Sequence, residues 1–229
     1  YNSCQIKAKK GEAFSMYGTY WLRNDDGEFI INPETGMRVM STDTKNLGKV
    51  APDWTMGIGN TLSYKGLSLS FLLDFRVGGV MYSGTVSDLR VTGVAEETAS
   101  RGRDKFVDKG VIANGDGTYR GNDVEVTPYQ YWTTNYSSKI TEANVFDATF
   151  IKLREIVLNY SLPKKWFRNT SIGQLSLGIE ARNLWLIKSN VPHIDPEASI
   201  FGPSSVGSGV EYAAIPSTRS LGFNIKLTF

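Results

Sequence analysis

Apolar and polar residues alternate one by one over stretches of about ten residues, and this period of two constrains the fold more than any other feature of the sequence. Across residues 54–64 the even positions are mostly apolar, while Thr, Gly and Ser fill the odd positions. The alternation resumes across residues 67–77, after Lys65-Gly66, a pair typical of a tight hairpin turn. Because successive side chains of a strand point to opposite faces, the pattern predicts a long antiparallel hairpin.

Three later segments carry the same alternation. Residues 174–187 and 220–229 keep one phase, whereas residues 148–162 change phase once, which predicts a β-bulge near Arg154-Glu155. These strands exceed the five or six residues common in soluble sheets. They match the roughly 9–11 residues with which a tilted strand crosses a bilayer.

The connections between the strands alternate in length. Residues 65–66 and 163–173 are short, whereas residues 78–146 and 189–217 are long and rich in Gly, Ser, Asp, Asn and Pro. Outer-membrane barrels have short periplasmic turns and long extracellular loops. The sequence therefore predicts an all-β fold, an antiparallel transmembrane β-barrel. Residues 78–146 and 189–217 are its predicted extracellular loops, and residues 11–52 are expected to face outside as well.

This topology assigns a role to the two faces of the sheet and to its ends. The apolar face predicts lipid contact for Phe71, Leu73, Ile179 and Ile225, and the polar face places Ser70, Gly178 and Asn224 in the lumen, where polar replacements are tolerated. Aromatic residues collect at the two membrane interfaces, and those predicted there are Trp54, Tyr64, Tyr160, Trp166 and Trp185. The alternation of Phe223, Ile225, Leu227 and Phe229 predicts a terminal assembly strand, of the kind that barrel insertion machinery recognises.

Composition excludes several classes of protein. The formal net charge of +2 and pI near 8.5 lack the basic field of a nucleic-acid binder. One cysteine excludes an intrachain disulfide, and one histidine excludes most zinc sites. The longest uninterrupted apolar run, residues 184–187, is far shorter than the roughly 18 residues of a membrane helix.

Few residues carry a pattern expected of catalysis or metal binding. His193, with Asp195 and Glu197 nearby, has the chemistry of a metal ligand or a base, but no further strong ligand or nucleophile accompanies them. We interpret these three residues as a structural or partner-contacting loop. The segment 114–117 (Asn-Gly-Asp-Gly) lacks the spaced acids of a calcium loop and is interpreted as a turn. The sequence predicts no cofactor and no enzyme.

Two further elements are expected outside the long strands. Residues 16–22 and 28–31 flank Asn24-Asp25-Asp26-Gly27 and predict a small hairpin, followed by a turn at residues 32–36. Residues 87–108 are compatible with a short helix.

Several segments together resemble the carboxy-terminal third of SusC/RagA-type TonB-dependent outer-membrane transporters. They are Pro-Asp-Trp at 52–54, Tyr-Lys-Gly at 64–66, residues 73–79, residues 147–156, Tyr-Ser-Leu-Pro at 160–163, Ala-Arg-Asn-Leu-Trp at 181–185 and Asp-Pro-Glu at 195–197. Their order and spacing carry the resemblance, because no single motif is decisive.

The resemblance implies that residues 1–229 form the last five or six strands of a 22-stranded barrel in the bacterial outer membrane. It implies import of oligosaccharides or peptides with a SusD-type surface lipoprotein, outer-membrane lipid around the barrel, and contact with the TonB complex through a plug domain that this sequence lacks. The chain opens without a signal peptide and is expected to be a fragment of a longer transporter.

Two alternatives from other classes remain. A secreted β-sandwich that binds carbohydrate also has alternating strands and aromatic residues. A β-rich hydrolase needs two carboxylates that converge on one cleft, and no such pair can be placed. Asp25 and Asp26 are adjacent on an extended chain and therefore point to opposite sides.

Overall fold

The structure, a computed structural model, describes residues 4–100, 102–201, 207 and 209–229. The chain divides into two compact units. The first comprises Tyr1–Ala51, Gly79–Asp147 and Val191–Ile215, and the second comprises Pro52–Gly78, Ala148–Asn190 and Pro216–Phe229. The two long loops predicted at 78–146 and 189–217 thus coincide, within two residues, with segments of the first unit, and their extracellular position stays a prediction.

Strands are short in the first unit and long in the second. In chain order they are β1 (Gln5–Lys7), β2 (Ser15–Gly18), β3 (Lys45–Lys49), β4 (Trp54–Tyr64), β5 (Leu67–Val77), β6 (Val80–Ser83), β7 (Phe106–Val107), β8 (Val111–Ala113), β9 (Tyr119–Gly121), β10 (Glu125–Val126), β11 (Val145–Asp147), β12 (Phe150–Ser161), β13 (Gln174–Ser189), β14 (Val210–Glu211) and β15 (Ser220–Thr228).

Helices are few and short in the described residues. They are α1 (Gly84–Val91), α2 (Glu96–Ala99) and α3 (Pro128–Asn135), with 3-10 turns at Glu142–Asn144 and Lys164–Phe167. None of the helices in this described part of the chain is long and apolar enough to cross a membrane.

The second unit is built on one antiparallel sheet with the strand order β15-β13-β12-β5-β4. All five strands were predicted from the alternation, and the two-residue turn between β4 and β5 is confirmed. Lys65 and Gly66 both have positive φ, 45° and 87°, as a two-residue hairpin turn with the twist of its strands requires.

The predicted bulge is also confirmed. Leu153 pairs with Leu73 of β5, but Glu155 pairs with Leu72, so Arg154 is the extra residue on β12. Because of this extra residue, the apolar side chains before and after the bulge point to the same face, although their positions in the sequence change from odd to even. Ile151 and Leu153 therefore lie on the same face of the sheet as the apolar residues that follow the bulge.

The first unit buries its apolar side chains in small clusters. One cluster joins Met16, Tyr82 and Val210 from three different strands, another centres on Tyr131 and Trp132 of α3, and a third on Trp21. The strand β14 pairs with β6 in parallel, so this unit is not purely antiparallel. Apart from this pair and a parallel bridge between Ile30 and Val111, the strand pairing is antiparallel and agrees with the predicted fold class. A complete barrel of 22 strands stays a prediction.

Local structure near the amino terminus differs in part from the prediction. The turn at 24–27 forms, with Gly27 N donating to Asn24 O across 3.0 Å, and Arg23 faces Phe29. The predicted hairpin forms next to this turn, where Asn24 N donates to Glu28 O and Ile30 N donates to Leu22 O, both across 3.0 Å. The strand β2, farther from the turn, pairs instead with β1 and β3. The hairpin is therefore confirmed near the turn, and the prediction is wrong only for the partner of residues 16–18.

The helices also differ from the prediction. The segment predicted as one short helix at 87–108 contains the last five residues of α1, which begins at Gly84, and the whole of α2. Helix α3 was not predicted, although Thr127 and Gln130 form a capping box around Pro128. That arrangement is a sequence signal for a helix start and could have identified α3.

Candidate functional site

One face of the five-stranded sheet is apolar and uncovered within the second unit. Residues that pair directly across an antiparallel sheet point to the same side, and one such row holds Leu62, Leu69, Leu158, Ile179 and Phe223. Ile179 is 50 % exposed and Phe223 is 84 % exposed. Apolar exposure on this scale marks a surface that meets lipid or another protein.

The four residues predicted to face lipid lie on this apolar face. Phe71 and Leu73 of β5 share the face with Leu69, Ile179 pairs with Leu158, and Ile225 pairs with Leu177. The structure therefore brings the four side chains to one side of one sheet. Their contact with lipid stays a prediction.

The predicted interface aromatics lie toward the two ends of the sheet. Trp54 begins β4 and Tyr64 ends it, while Tyr160 lies in the same row as Tyr64 through Leu67. The 11 residues of β4 separate its ends by about 33 Å at roughly 3.3 Å per residue. A strand tilt of about 40° reduces this separation to a height of about 25 Å, the height of the apolar band of outer-membrane barrels.

The other two aromatics differ in their setting. Trp185 pairs with Leu153, which in turn lies in one row with Leu73 and Ile58. This row belongs to the half of the sheet that contains Trp54. Trp166 lies in the 3-10 turn between β12 and β13 and is largely exposed. Neither side chain is buried in a core.

The predicted terminal assembly strand is β15. Phe223, Ile225 and Leu227 pair with Ile179, Leu177 and Leu175 of β13, so all three point to the apolar face. Phe229 follows the last strand residue and is 82 % exposed. Gly173 N donates to Thr228 O across 2.7 Å and fixes the end of the strand.

The opposite face is polar, and one of its positions is more crowded than predicted. Gly178 lies between Asn159 and Asn224, whose side-chain amides occupy the space that a Cβ at Gly178 would enter. Any larger residue there must displace the two amides. The expected tolerance to polar replacement therefore does not extend to Gly178 without a shift of these neighbours.

A chain of polar contacts crosses the sheet at the bulge. Arg154 donates to Asp74 of β5 and, across 3.3 Å, to Asn183 Oδ1 of β13. Asn183 has a φ of 49°, a left-handed conformation that asparagine tolerates better than most residues. The motif Ala-Arg-Asn-Leu-Trp at 181–185 thus places an asparagine where the backbone and the polar network both need it.

The candidate partner loop is attached to helix α2. His193 Nε2 lies 2.5 Å from Glu97 Oε2, and Arg90 Nε donates to Glu97 Oε1 across 2.8 Å. Burial raises the pKa of the Glu97 carboxyl, but the hydrogen bonds from Arg90 and His193 outweigh it and lower the pKa to about 2. Glu97 is therefore ionised under ordinary conditions and links His193 to Arg90.

The sequence did not associate His193 with Glu97. The predicted neighbours of His193 were Asp195 and Glu197, which lie in a turn where Asp195 Oδ1 accepts from Glu197 N across 3.1 Å. No local pattern could have identified Glu97, because 96 residues separate it from His193.

Two other polar groups of the first unit were also missed. Arg38 is paired with Asp108 across 2.8 Å and lies 3.9 Å from the Phe29 ring centroid. Glu211 is 1 % exposed and accepts from the hydroxyls of Ser83 and Thr85 across 2.5 and 2.6 Å. Both groups tie distant segments together and are structural.

Metal binding finds no support in the described residues. In that part of the chain, no group of three or more His, Cys, Asp or Glu side chains is placed to share an ion. The segment 114–117 forms the turn of the β8–β9 hairpin, where Asp116 Oδ1 accepts from Thr118 N across 2.9 Å. The interpretation of this segment as a turn is confirmed.

Comparisons in sequence identify two receptors that the chain resembles. TonB-dependent receptor P3 of Formosa agariphila is 26 % identical over 218 residues, which are 91 % of this chain and 20 % of the receptor. TonB-dependent receptor P26 of the same organism is 26 % identical over 86 % of the chain and 19 % of the receptor. The chain thus spans about a fifth of the length of these relatives. No family model matches the chain.

Comparisons in structure identify the fold. The structure of the RagAB peptide transporter matches 96 % of this chain and 23 % of the solved chain, with a TM-score of 0.61 and 18 % identity. The RagAB peptide importer in its closed-closed state matches the same shares with a TM-score of 0.58 and 19 % identity. The resemblance to SusC/RagA-type TonB-dependent transporters is therefore confirmed, by TonB-dependent receptors in sequence and by RagAB in fold.

Proposed function

We propose that this chain forms part of the wall of a TonB-dependent transporter in the bacterial outer membrane. The transporter imports oligosaccharides or peptides together with a SusD-type surface lipoprotein. The observation that carries the proposal is the uncovered apolar face of a sheet whose strands have 9 to 16 residues. The sequence match to TonB-dependent receptors over most of the chain supports it.

The apolar face favours a membrane over water for energetic reasons. Removing a large apolar side chain from water contributes about 1.5–3 kcal/mol, and the face carries several such side chains on each strand. Phe223, Ile225 and Leu221 are each about three-quarters exposed or more. Acyl chains would cover them, with Trp54 and Tyr64 at the two interfaces.

Further strands would complete the wall at the two edges of the sheet. Within the described residues, β4 pairs only with β5, and β15 pairs only with β13. Unpaired backbone groups at a strand edge are costly in a bilayer, so membrane sheets close into barrels. We propose that β4, β5, β12, β13 and β15 are among the last strands of a 22-stranded barrel. The remaining strands and a TonB-contacting plug would come from elsewhere in the transporter.

The partner is proposed on the loop side. Residues 78–146 and 189–217 would lie outside the cell, where His193, Asp195 and Glu197 would help to seat the lipoprotein. One neighbour in fold is described as a peptide transporter, which supports the peptide alternative for the cargo. The matched proteins are named as receptors and transporters, so no catalytic turnover is proposed.

A secreted β-sandwich that binds carbohydrate is the alternative function. A sandwich covers the apolar face of one sheet with a second sheet of similar size. The strands of the first unit have two to five residues, too short to cover strands of 9 to 16. This difference favours the transporter.

The deciding experiment follows the full-length protein that contains this chain in a Gram-negative host, with and without functional TonB. We expect it in the outer-membrane fraction, with a heat-modifiable band on electrophoresis and TonB-dependent growth on its substrate. A protein that is soluble without detergent would contradict the barrel. Growth that is independent of TonB would contradict the proposed energy coupling.

A second experiment addresses the partner loop. Replacing residues 192–201 by a Gly-Ser linker of equal length should weaken co-purification of the lipoprotein without lowering the amount of barrel. As a control, the same replacement of residues 114–118, the turn of the β8–β9 hairpin, keeps the partner loop intact. Unchanged co-purification would remove the loop from the interface.

A further inference from the structure

A groove lies on the apolar face of the five-stranded sheet, at the end where the short turns join the strands. It has a volume of about 480 Å³ and is lined by Leu158, Tyr160, Leu177, Ile179, Phe223 and Ile225, among others. These residues occupy two neighbouring rows across β12, β13 and β15. Ligand sites in proteins commonly have volumes of about 300–1,000 Å³ and mostly apolar walls. The groove therefore has the size and chemistry of a site for an apolar chain.

The strand ends and turns beside the groove carry only positive charge. They comprise residues 61–70, 157–176 and 224–229, which contain no Asp or Glu. Their basic residues are Lys65, Lys164, Lys165, Arg168 and Lys226. At the other end of the same sheet, Asp53 precedes β4 and Lys188 lies within β13, so both signs of charge occur there. The end of the sheet that holds the groove therefore attracts an anionic group.

Three of these basic residues lie in the turn between β12 and β13, and we call Lys164, Lys165 and Arg168 the basic turn. All three are exposed, and none has an ion pair or side-chain hydrogen bond to any residue that the structure describes. Lys164 follows Tyr160 of the groove by four residues, so their Cα atoms are at most about 14 Å apart. Trp166, in the same turn, is of a residue type that collects at membrane interfaces. The positive charges thus lie close to the groove, at the level of lipid headgroups.

We propose that the groove and the basic turn together bind one anionic glycerophospholipid, such as phosphatidylglycerol. An acyl chain occupies the groove, and the phosphate lies beside Lys164, Lys165 and Arg168. A sugar does not suit this groove, because each of its hydroxyl groups would need a hydrogen-bond partner that an apolar wall does not offer. The proposal rests on the proposed function, because a membrane is what supplies such a lipid to the apolar face.

The test measures which lipid occupies the groove of the purified full-length transporter in vesicles of phosphatidylcholine. The probe is phosphatidylglycerol with a photoreactive diazirine on one acyl chain, and its twin is phosphatidylcholine with the same chain. After illumination, mass spectrometry measures the adducts on residues 157–162 and 174–180. Each basic residue near an anionic headgroup strengthens association about fivefold. We therefore expect labelling by the anionic probe to exceed labelling by its twin about tenfold or more at these residues.

Variants separate the basic turn from the groove. The triple variant Lys164→Gln/Lys165→Gln/Arg168→Gln should lower the ratio of the two labelling yields to near one. Lys188→Gln, the control, removes an exposed lysine at the other end of the sheet and should keep the ratio. Leu177→Trp fills the groove and should reduce labelling by both probes. The heat-modifiable band shows that each variant is folded.

Salt gives a test that needs no variant. The Debye length falls from about 10 Å at 0.1 M ionic strength to about 3 Å at 1 M. Attraction between the basic turn and the phosphate should weaken over this range. We expect the preference of the wild-type transporter for the anionic probe to fall with salt, while labelling by the phosphatidylcholine probe stays constant. A preference that is independent of salt would contradict recognition by charge.

The outcomes distinguish this proposal from the proposed function. A ratio near one in the wild type, or an unchanged ratio in the triple variant, overturns the lipid site. Labelling by neither probe at the groove, with labelling of Phe71 and Leu73 intact, would show that protein covers the groove and would also overturn the site. These results leave TonB-dependent import standing, because uptake is measured separately. Loss of TonB dependence with an intact lipid preference would overturn the proposed energy coupling and retain the lipid site.

Discussion

Asn183 donates a hydrogen bond from Nδ2 to the carbonyl oxygen of Thr218 across 3.1 Å, although 35 residues separate them. Its Oδ1 accepts from Arg154, which also donates to Asp74. These contacts join β5, β12, β13 and the segment that leads into β15. The bulge is therefore a polar clasp across the sheet as well as a correction of its register.

Replacing Asn183 should weaken the sheet at this clasp. Asn183→Ala loses both hydrogen bonds, each contributing about 0.5–1.5 kcal/mol. It also places alanine at a positive φ, which alanine adopts less readily than asparagine does. Asn183→Gly loses the hydrogen bonds but keeps the backbone conformation. We expect the heat-modification midpoint of the full-length barrel to fall most for Ala and less for Gly. Equal midpoints for the two variants would show that backbone conformation contributes nothing here.

The long-stranded sheet could be predicted from the sequence because its determinants are local. The alternation across β4 and β5 fixes which face each side chain takes, and Lys65-Gly66 fixes the turn between them. The phase change at Arg154 predicted the bulge. The clasp itself could not be predicted, because it depends on contacts between Asp74, Asn183 and Thr218 that no local pattern encodes.

The carboxyl of Glu97 should confer a pH dependence on the attachment of the partner loop. Its pKa is lowered from 4.5 to about 2, so its stabilising contribution is complete above pH 4.5 and is lost as the pH falls toward 2. We expect proteolytic cleavage within residues 191–201 to increase over this range. Glu97→Gln should show the increased cleavage at every pH. A cleavage profile for Glu97→Gln that still follows the wild type between pH 4.5 and 2 would assign the effect to another carboxyl.

The two faces of the sheet should respond differently to charge. Phe71 and Ser70 are neighbours at the middle of β5 and point to opposite faces. On the lipid face at mid-membrane an arginine costs about 2–4 kcal/mol. We expect Phe71→Arg to lower the yield of heat-modifiable barrel strongly, whereas Ser70→Arg is tolerated. Equal yields for the two variants would indicate a sheet exposed to water on both sides.

The first unit was largely beyond prediction, for a physical reason. Its strands have two to five residues, too few to establish a period, and its polar contacts join distant positions. Arg38 and Asp108 are 70 residues apart, and Ser83 and Glu211 are 128 residues apart. Local signals were limited to the turns at 24–27 and 114–117, which were predicted, and to the capping box at Thr127, which was missed.

Glu211 should be important for the stability of the first unit. Its buried carboxylate accepts from Ser83, Thr85 and the Ala214 N–H, so Glu211→Ala leaves these donors without their acceptor. An unsatisfied buried polar group costs about 1–3 kcal/mol. We expect faster trypsin cleavage of residues 79–147 in the full-length transporter. The exposed Glu125→Ala is the control, and cleavage at the control rate would refute a structural role for Glu211.

Phe229 follows the last paired residue of β15 and continues the apolar row of that strand. The strand β15 lies at the edge of the sheet and must pair with another strand if the barrel closes. We expect Phe229→Asp to lower the amount of folded, heat-modifiable barrel in the outer membrane sharply while synthesis is unaffected. The reason is that a carboxylate replaces an aromatic ring where the strand end meets the interface. The measurement is the ratio of folded to total protein in isolated outer membranes.

The leucine variant separates recognition of the aromatic ring from simple anchoring at the interface. If Phe229 only anchors the strand, Phe229→Leu and Phe229→Asp should differ in proportion to lost apolar burial, at most about 1.5–3 kcal/mol for a whole side chain. If assembly requires the ring, Phe229→Leu should also assemble poorly although it stays apolar. Normal assembly of Phe229→Asp would contradict both versions, and with them the assignment of β15 to a membrane barrel.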